Sequence, residues 1–284
     1  MKIAVTSASG NLGSAVVQSL IKEIGAANVV AIARTPEKAT HLGVEVRKGD
    51  YSNREDFDKA LKGIDKVMLL SGMDLPENRI VQHQNVIAAA NQNGVKKIVY
   101  TSIIGDEHGT SFSPIVNSNR QTELDIKDSG MEWVIGRNGI YIEPDLEYIP
   151  TYIQEGMIKN SADQGKCAYT SREELSYAYS KMLLEGTHNG QTYNLVGEPI
   201  TQSQLAEYIN QVYDTNLIYV STSIAAYKEE RQAALGDFLG NIIAGIYEGI
   251  RNGATNIPSD FFKVASRTHK LPLQMIKDFL DKNN

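Results

Sequence analysis

Residues 4–13, Ala-Val-Thr-Ser-Ala-Ser-Gly-Asn-Leu-Gly, decide the fold of this 284-residue chain. An apolar strand breaks into small residues and then opens a helix near Ser14. The spacing is that of a glycine fingerprint, G-x-x-G-x-x-G, with Ser7 in place of the first glycine. Small residues let the backbone approach a pyrophosphate, and the helix N-terminus offers free N–H groups and the positive end of its dipole. The stretch predicts a dinucleotide site; the alternative is a tight strand–helix turn without a ligand.

The cost of a serine at position 7 depends on its backbone dihedral angle φ. Ser7 costs little if its φ is negative, and its hydroxyl could then donate to a phosphate. At positive φ a serine is strained, because its Cβ crowds the backbone. We expect Ser7 to be tolerated in the turn.

Strand-like and helix-like segments alternate through the first half of the chain. The predicted strands are Ile3–Thr6, Val29–Ala33, Val44–Lys48, Lys66–Leu70, Lys97–Thr101 and Trp133–Gly136. The predicted helices between them are Ser14–Ile24, Glu37–Leu42, Arg54–Leu61, Arg79–Gln92 and Asn119–Lys127. This alternation predicts an α/β fold, a Rossmann-type doubly wound parallel sheet.

Beyond residue 140 the alternation loosens, and we place an approximate domain boundary there. Residues 1–140 form the predicted dinucleotide-binding core, and residues 141–284 a smaller, mostly helical C-terminal substrate lobe, partly interleaved with the core. Its predicted helices are Leu146–Gly156, Ser171–Leu184, Ser203–Val212, Ile224–Ala234, Phe238–Ile250 and Leu273–Leu280, with short strands at Tyr193–Val196 and Leu217–Val220. Such a lobe would cap the carboxyl ends of the sheet, where ligands bind in open α/β folds.

The net charge and the cysteine and histidine content of the chain argue against several classes of function. A net charge of −6 without a basic face gives no support to nucleic-acid binding. The single cysteine, Cys167, excludes an intramolecular disulfide and a cysteine-rich zinc site, and we expect it to be a passive small residue. The five histidines show no metal-ligand spacing, and His83 is expected to pack or to contact the backbone. Because the chain has neither a leader-like N-terminus nor a membrane-length apolar run, we expect a soluble, cytoplasmic protein.

The residues that follow the second and third strands bear on the choice of dinucleotide. Arg34 and Lys38 stand where an acidic residue would bind the ribose hydroxyls of NAD, and a guanidinium instead suits a 2′-phosphate. The sequence therefore favours NADP(H) over NAD(H), unless Arg34 is only a solvated residue. Asp50 either accepts from the adenine amino group or caps the next helix, and Tyr51 packs nearby.

Seven segments, in family order, carry a resemblance to a known family. They are Ala4–Gly13, Ala33–Ala39, Val46–Tyr51, Gln82–Ile87, Gly94–Ser102, Arg137–Tyr141 and Gly190–Val196. In these the chain resembles an atypical short-chain dehydrogenase/reductase of the NmrA-like group. Within that group it is similar to the type 2 NADPH:quinone oxidoreductases and the triphenylmethane reductases.

The resemblance places unusual residues at the usual catalytic positions. Asn119 stands where typical members carry the proton-donating tyrosine, and Glu123 where they carry lysine. An amide has no useful acidity, so Asn119 cannot be a general acid. Glu123 either holds a ribose or orients a polar group, or it is a solvated helix residue.

The resemblance then implies direct hydride transfer to a quinone-like or other conjugated acceptor, which is an aromatic small molecule. This transfer does not require the Tyr/Lys pair of typical members. The alternative is an NADP(H)-binding redox sensor with little turnover; a sugar-nucleotide epimerase is disfavoured because that chemistry uses the absent tyrosine. We expect a monomer or homodimer without a membrane, nucleic-acid or metal partner. The predicted cofactor-binding residues are Thr6, Ser7, Ser9, Gly10, Asn11, Leu12, Gly13, Arg34, Lys38, Asp50, Tyr51, Ser71, Gly72, Thr101, Ser102 and Glu123.

The predicted acceptor pocket follows the sixth strand. Its residues are Asn138, Tyr141, Tyr148 and Tyr152. A planar acceptor could stack on these tyrosines. Alternatively, Tyr148 and Tyr152, spaced i and i+4, simply form a packed helix face.

Overall fold

The computed structural model describes residues 1–283. The strands are β1 Ile3–Val5, β2 Val29–Ala33, β3 Glu45–Lys48, β4 Lys66–Leu69, β5 Lys97–Ile103, β6 Glu132–Asn138, β7 Ile140–Tyr141, β8 Met157–Asn160, β9 Lys166–Thr170, β10 Gln191–Leu195, β11 Pro199–Thr201 and β12 Ile218–Ser221. The α-helices are α1 Asn11–Ile24, α2 Arg54–Ala60, α3 Pro76–Gln92, α4 Ser113–Lys127, α5 Glu143–Glu147, α6 Ile149–Glu155, α7 Arg172–Leu184, α8 Gln202–Tyr213, α9 Ile224–Leu235, α10 Asp237–Arg251, α11 Phe261–Ala265 and α12 Pro272–Asn283.

Seven parallel strands form the central sheet in the order β10-β6-β5-β4-β1-β2-β3. From β1 the chain winds outward through β2 and β3, and then returns to β4 on the other side of β1. The strand order therefore reverses between β1 and β4, and ligands bind at such a switch point, beyond the carboxyl ends of the strands. The predicted Rossmann-type doubly wound sheet is confirmed.

Helices cover both faces of this sheet because its strands are apolar on both sides. In β2, Val29, Ala31 and Ala33 pack towards α1 and α7. Val30 and Ile32, which alternate with them, pack on the opposite face, among buried side chains of α2 and α3. Near-continuous apolar strands of this kind are typical of parallel sheets buried on both faces.

The second half of the chain supplies both a lobe and part of the sheet. Helix α7 packs on α1, and β10 adds the edge strand beside β6. Helix α11 also packs on α7 and β10, against the core of the central sheet. The other segments form a mostly helical lobe, as predicted, and this lobe has its own apolar core. It also contains a three-stranded sheet, β11-β9-β7, and the pair β12-β8. The domain boundary at residue 140 stays a prediction.

Several local predictions are wrong. The predicted helix Leu146–Gly156 is two helices, α5 and α6, and Pro150 lies at the start of α6. Proline has no N–H to donate back to the preceding turn, so the first helix ends before it. The predicted helix Glu37–Leu42 is present, as the 3-10 helix Pro36–Leu42. The strands β7, β8, β9 and β11 and the five-residue α11 are missed, because segments so short carry no readable periodicity.

Among residues 1–283, no helix is long and apolar enough to cross a membrane. The same residues contain no group of three or more histidine, cysteine, aspartate or glutamate side chains that could hold a metal ion. Cys167 is buried, and burial raises the pKa of its thiol, which keeps it protonated.

Candidate active site

The loop between β1 and α1 leads into backbone donors that have no partner in the described protein. Gly10 is the N-cap of α1, and no side chain caps the helix there. Within residues 1–283, the N–H groups of Asn11, Leu12 and Gly13 have no acceptor. Ser9, Gly10 and Asn11 are exposed. Free donors at the positive end of a 14-residue helix fit an anionic pyrophosphate.

The two glycines of the fingerprint have different roles. A Cβ on Gly13 would lie 2.4 Å from the carbonyl oxygen of Ser7 and 2.9 Å from the Cα of Ala8, so α1 approaches the loop too closely for any side chain. A Cβ on Gly10 would meet only the Ser7 carbonyl, at 3.3 Å. Gly13 therefore sets the close packing of helix against loop.

Ser7 has a φ of +48°, in the left-handed region. The inexpensive negative-φ alternative is therefore wrong, and the serine is strained where glycine would not be. Its hydroxyl donates to Tyr51 Oη at 3.1 Å, within the protein.

Thr6 and Tyr51 lie beneath this loop and join the two strands of the switch point. Thr6 Oγ1 accepts the N–H of Leu70 at 2.9 Å and lies 2.6 Å from Tyr51 Oη. Tyr51 in turn donates to the carbonyl oxygen of Leu70 at 2.7 Å. Burial raises the pKa of Tyr51 to about 12, which keeps the phenol a donor. Both side chains thus support the predicted cofactor loop from below.

Arg34 and Lys38 lie at the carboxyl end of β2, beside the loop. Both are exposed, and neither side chain forms a hydrogen bond or ion pair within residues 1–283. Most other arginines of the chain are paired, as Arg47 is with Glu45. The two cations are free to meet an anionic ligand.

Asp50 does not cap the helix that follows it. The N-cap of α2 is Asn53, whose side chain accepts the N–H of Glu55. Asp50 instead accepts the N–H of Ser52 at 2.9 Å within its own turn. The capping alternative is wrong, and the adenine contact stays a prediction.

The carboxyl ends of β4 and β5 are tied together and to helix α3. The N–H of Ser71 donates to Thr101 Oγ1 at 2.8 Å. The N–H of Gly72 donates to His83 Nε2 at 3.0 Å, so this ring nitrogen is unprotonated and Nδ1 carries the hydrogen, facing Thr122 Oγ1 at 2.9 Å. The predicted backbone contact of His83 is confirmed.

His83 makes the stability of this site depend on pH. Burial, and then the charge of Arg79, lower the pKa of His83 to about 3. The unfolded chain binds a proton near pH 6.5 that the folded state excludes, so folding is penalised as pH falls below about 6.5. We expect this residue to contribute a loss of about 1.4 kcal/mol per pH unit below that value. Urea unfolding of His83→Gln between pH 7 and pH 5 should lack this slope, whereas the exposed control His41→Gln should keep it.

Helix α4 brings Asn119 and Glu123 to the sheet one turn apart, and both are buried. Asn119 Oδ1 accepts from Tyr100 Oη at 2.7 Å and from Ser71 Oγ at 2.9 Å. Its Nδ2 donates to the carbonyl oxygen of Ile115 at 2.8 Å. Burial raises the pKa of Tyr100 to about 12, so the phenol stays protonated and donates to the amide.

Glu123 is the centre of an ion-pair cluster. Its carboxylate accepts two bonds from Arg137, at 2.9 and 2.7 Å, one from Arg120 at 2.9 Å and one from Ser102 Oγ at 2.6 Å. Burial raises the pKa of Glu123, but the bonds from Arg137 and Ser102 and the two positive charges outweigh it, and the net pKa lies below its usual value. The solvated alternative is wrong, and this geometry favours orienting polar groups over holding a ribose.

The predicted acceptor residues fall into two groups. Asn138 Nδ2 donates to Tyr141 Oη at 3.0 Å, and Asn138 Oδ1 accepts from the buried Tyr179. Tyr148 and Tyr152 contact each other edge to face, with ring centroids 5.2 Å apart. Tyr152 is buried, whereas Tyr148 is 44% exposed.

Tyr152 also belongs to a buried polar group inside the lobe. Its hydroxyl donates to Asp145 Oδ1 at 2.8 Å, and Tyr169 and Tyr247 donate to the same carboxylate. These contacts favour the packing alternative for Tyr152 and leave Tyr148 as the accessible ring.

Three buried residues near the site were not predicted. Tyr100 and Tyr179 hold Asn119 and Asn138, and Arg79 donates to Ser71. Arg79 did carry a signal in the sequence. It precedes Gln82, His83 and Val86 at helical spacing, so it lies on the buried face of α3, where a charged residue is unusual.

Comparisons with known proteins agree with this geometry. A family model described as NAD(P)H-binding matches residues 7–174, more than half of the chain, and includes the loop, Arg34 and α4. The chain belongs to the NAD(P)H-binding family. It is 34% identical to quinone oxidoreductase 2 of Escherichia coli (strain K12) over 256 residues, 88% of each chain.

Two solved structures align with this chain over nearly its whole length. The NADPH-dependent quinone oxidoreductase of Escherichia coli in complex with NADPH aligns with a TM-score of 0.90 and 30% identity, over 98% of this chain and 99% of that one. Triphenylmethane reductase of Citrobacter sp., complexed with NADP(H), aligns with a TM-score of 0.91 and 32% identity, over 98% and 100%. The predicted resemblance to both groups is confirmed.

Proposed function

We propose that this protein is an NADPH-dependent oxidoreductase that passes hydride directly to quinone-like or other conjugated acceptors. Its family and its similarity to quinone and triphenylmethane reductases support an NAD(P)H-dependent enzyme. The observation that carries the finer proposal is Asn119, a buried amide whose Oδ1 and Nδ2 are both hydrogen-bonded within the protein. The family resemblance assigns this residue to the position of the usual proton donor. An acceptor that delocalises the incoming charge needs no such donor.

The loop and the residues after β2 would hold the cofactor. The free N–H groups of residues 11–13 would face the pyrophosphate. We assign the 2′-phosphate to Arg34 and Lys38, the two exposed cations that follow β2. NADPH, when bound, supplies the hydride. Ser71 and Thr101, joined through the Ser71 N–H, would border the nicotinamide.

The acceptor would lie beyond β6. We assign it to Asn138, Tyr141 and the exposed ring of Tyr148, with Tyr152 supporting Tyr148 from within the lobe. These residues position a planar molecule and exclude water, which is the protein's main contribution to direct hydride transfer. A cytoplasmic location and a monomeric or dimeric state stay predictions.

Turnover separates this proposal from the alternative of a cofactor sensor. The absorbance of NADPH at 340 nm should fall steadily when the protein is mixed with a panel of benzoquinones and naphthoquinones. Tight NADPH binding without turnover on any acceptor in the panel would overturn the enzyme and favour the sensor.

Arg34→Ala tests the assignment of the 2′-phosphate. Loss of a charge-assisted hydrogen bond costs about 1–3 kcal/mol, so NADPH should bind roughly 5- to 150-fold more weakly while NADH is nearly unaffected. Dissociation constants from the quenching of protein fluorescence give the comparison. Arg54→Ala, at a partly exposed arginine on α2, is the control. Equal losses for both dinucleotides would show that Arg34 does not bind the 2′-phosphate.

A further inference from the structure

Arg79, in the first turns of α3, is a buried arginine without a counter-ion. Only 4% of the residue is exposed. Its guanidinium donates to Ser71 Oγ, and more weakly to Asn119 Oδ1 at 3.4 Å, while its buried Nε has no partner. No carboxylate within residues 1–283 forms an ion pair with it.

Such a charge is unfavourable for folding. Burial lowers the pKa of Arg79, yet an arginine stays protonated at neutral pH. Moving a cation out of water costs several kcal/mol when no anion compensates it. Buried unpaired charges of this kind cluster at functional sites.

The neighbouring ionic cluster does not cancel this charge. There, one buried carboxylate, Glu123, faces two arginines, Arg120 and Arg137. The other acid of that cluster, Glu107, is half exposed, where water screens it. The interior behind β4 and β5 therefore carries an excess of positive charge.

Arg79 lies directly behind the proposed site. Its partner Ser71 is half-buried at the carboxyl end of β4 and is bonded through its N–H to Thr101 at the end of β5. Ser71 therefore separates the guanidinium from the edge of the sheet where we place the nicotinamide. The field of Arg79 reaches that edge without Arg79 touching a ligand.

We propose that Arg79 determines which acceptors are reduced: its uncompensated charge, buried behind Ser71, favours acceptors that become anionic over acceptors that are cationic. This inference rests on the proposed function.

The two acceptor classes differ in their change of charge. A neutral quinone that accepts hydride, two electrons and one proton, becomes a hydroquinone monoanion, which then takes a proton from water. A cationic triphenylmethane dye accepts hydride at its central carbon and becomes neutral, with no proton to follow. NADPH is converted to NADP⁺ in both reactions. The ratio of the two rates therefore isolates the charge change of the acceptor.

Two substitutions remove the excess charge by different routes. Arg79→Gln deletes it. Asn119→Asp leaves Arg79 in place and puts a near-isosteric carboxylate where Asn119 Oδ1 now accepts from Tyr100, Ser71 and Arg79. We expect each to lower the ratio of kcat/KM for 1,4-naphthoquinone to that for malachite green by about tenfold to hundredfold.

Matched variants and an equilibrium measurement complete the experiment. Arg79→Lys keeps the charge and should retain at least a third of the original ratio. Arg54→Gln, the same substitution at a partly exposed position on α2, should leave the ratio unchanged. The NADPH dissociation constant and the thermal midpoint are measured for each variant. We expect NADPH to bind Arg79→Gln within about threefold of the unsubstituted protein.

The outcomes separate this inference from the proposed function. Equal losses on quinone and dye in an active enzyme would overturn the inference alone, as would an NADPH affinity that falls more than tenfold. If Arg79→Gln does not fold, the ratio of Asn119→Asp decides. If the unsubstituted protein reduces quinones but not the dye, Arg79→Gln and Asn119→Asp must gain measurable dye turnover. If neither variant reduces the dye, that result contradicts the inference. No turnover on any acceptor would overturn the proposed function itself.

Discussion

Gly13→Ala is expected to weaken NADPH binding about a hundredfold or more and to lower the free energy of unfolding by about 2–3 kcal/mol. The added Cβ would lie 2.4 Å from the Ser7 carbonyl oxygen and 2.9 Å from the Cα of Ala8. Both neighbours are backbone, so no side chain can turn away, and the loop and α1 must separate. The free N–H groups of residues 11–13 then no longer point at one pyrophosphate, and each lost charge-assisted bond costs about 1.5–3 kcal/mol.

Gly10→Ala is the matched control within the same loop. Its Cβ would be 3.3 Å from one carbonyl oxygen, and Gly10 has an extended backbone with φ −84° that alanine adopts readily. Urea unfolding should therefore show a loss for Gly13→Ala and little for Gly10→Ala. Gly186→Ala, with open space around the new Cβ, controls for binding. Unchanged NADPH affinity in Gly13→Ala would contradict a phosphate site at this loop.

The sheet could be predicted from sequence because its signals are local. β2 was predicted with its observed bounds, Val29–Ala33, since a five-residue apolar run rich in β-branched residues is too short for a helix. α1 was also predicted, although its start at Asn11 lies three residues before the predicted Ser14. The short strands of the lobe, such as β7 with two residues, are set by contacts distant in sequence and leave no local pattern.

The sequence predicts where the residues of the candidate site lie better than it predicts what each of them does. The exposed Arg34 and the free donors of the loop are where the sequence placed them, because strand ends and helix starts fix backbone positions. Thr6 and Ser102 were predicted to meet the cofactor, yet their hydroxyls are bonded within the protein. The direction in which a small polar side chain points depends on neighbours from other segments, such as Tyr51. The spacing of residues along the sequence does not reveal these neighbours.

Glu123→Leu is expected to lower the free energy of unfolding by about 3 kcal/mol or more, the other large effect among these predictions. The substitution removes the common acceptor of Arg137, Arg120 and Ser102. Arg137 is left without an anion, and Arg120 keeps only its ion pair with the exposed Glu107. Breaking one side of a buried ion pair costs more than the pair contributes, because the remaining charges stay desolvated.

Glu123→Gln separates the role of the charge from that of the shape. It keeps an acceptor oxygen and should lose about half as much stability at pH 7. Because interactions with Arg137 and Arg120 lower the folded-state pKa of Glu123, the carboxylate stabilises the fold above the unfolded value near 4.5, and this contribution disappears as pH falls through the folded-state pKa. The difference in unfolding free energy between Glu123→Gln and the unsubstituted protein should therefore shrink in acid. Glu107→Gln, at the exposed acid that also pairs with Arg120, should change stability by no more than about 0.5 kcal/mol.

The same two variants decide between the roles left open for Glu123. A carboxylate whose two oxygens accept four bonds from the protein has little capacity left for ribose hydroxyls. We therefore expect Glu123→Gln to bind NADPH within about threefold of the unsubstituted protein at pH 7, despite its lower stability. A loss of affinity above tenfold with unchanged unfolding free energy would instead assign Glu123 to the ribose. That result would also require Arg137 and Arg120 to keep their positions without the Glu123 carboxylate. Both form ion pairs with this buried group, which argues against such an outcome.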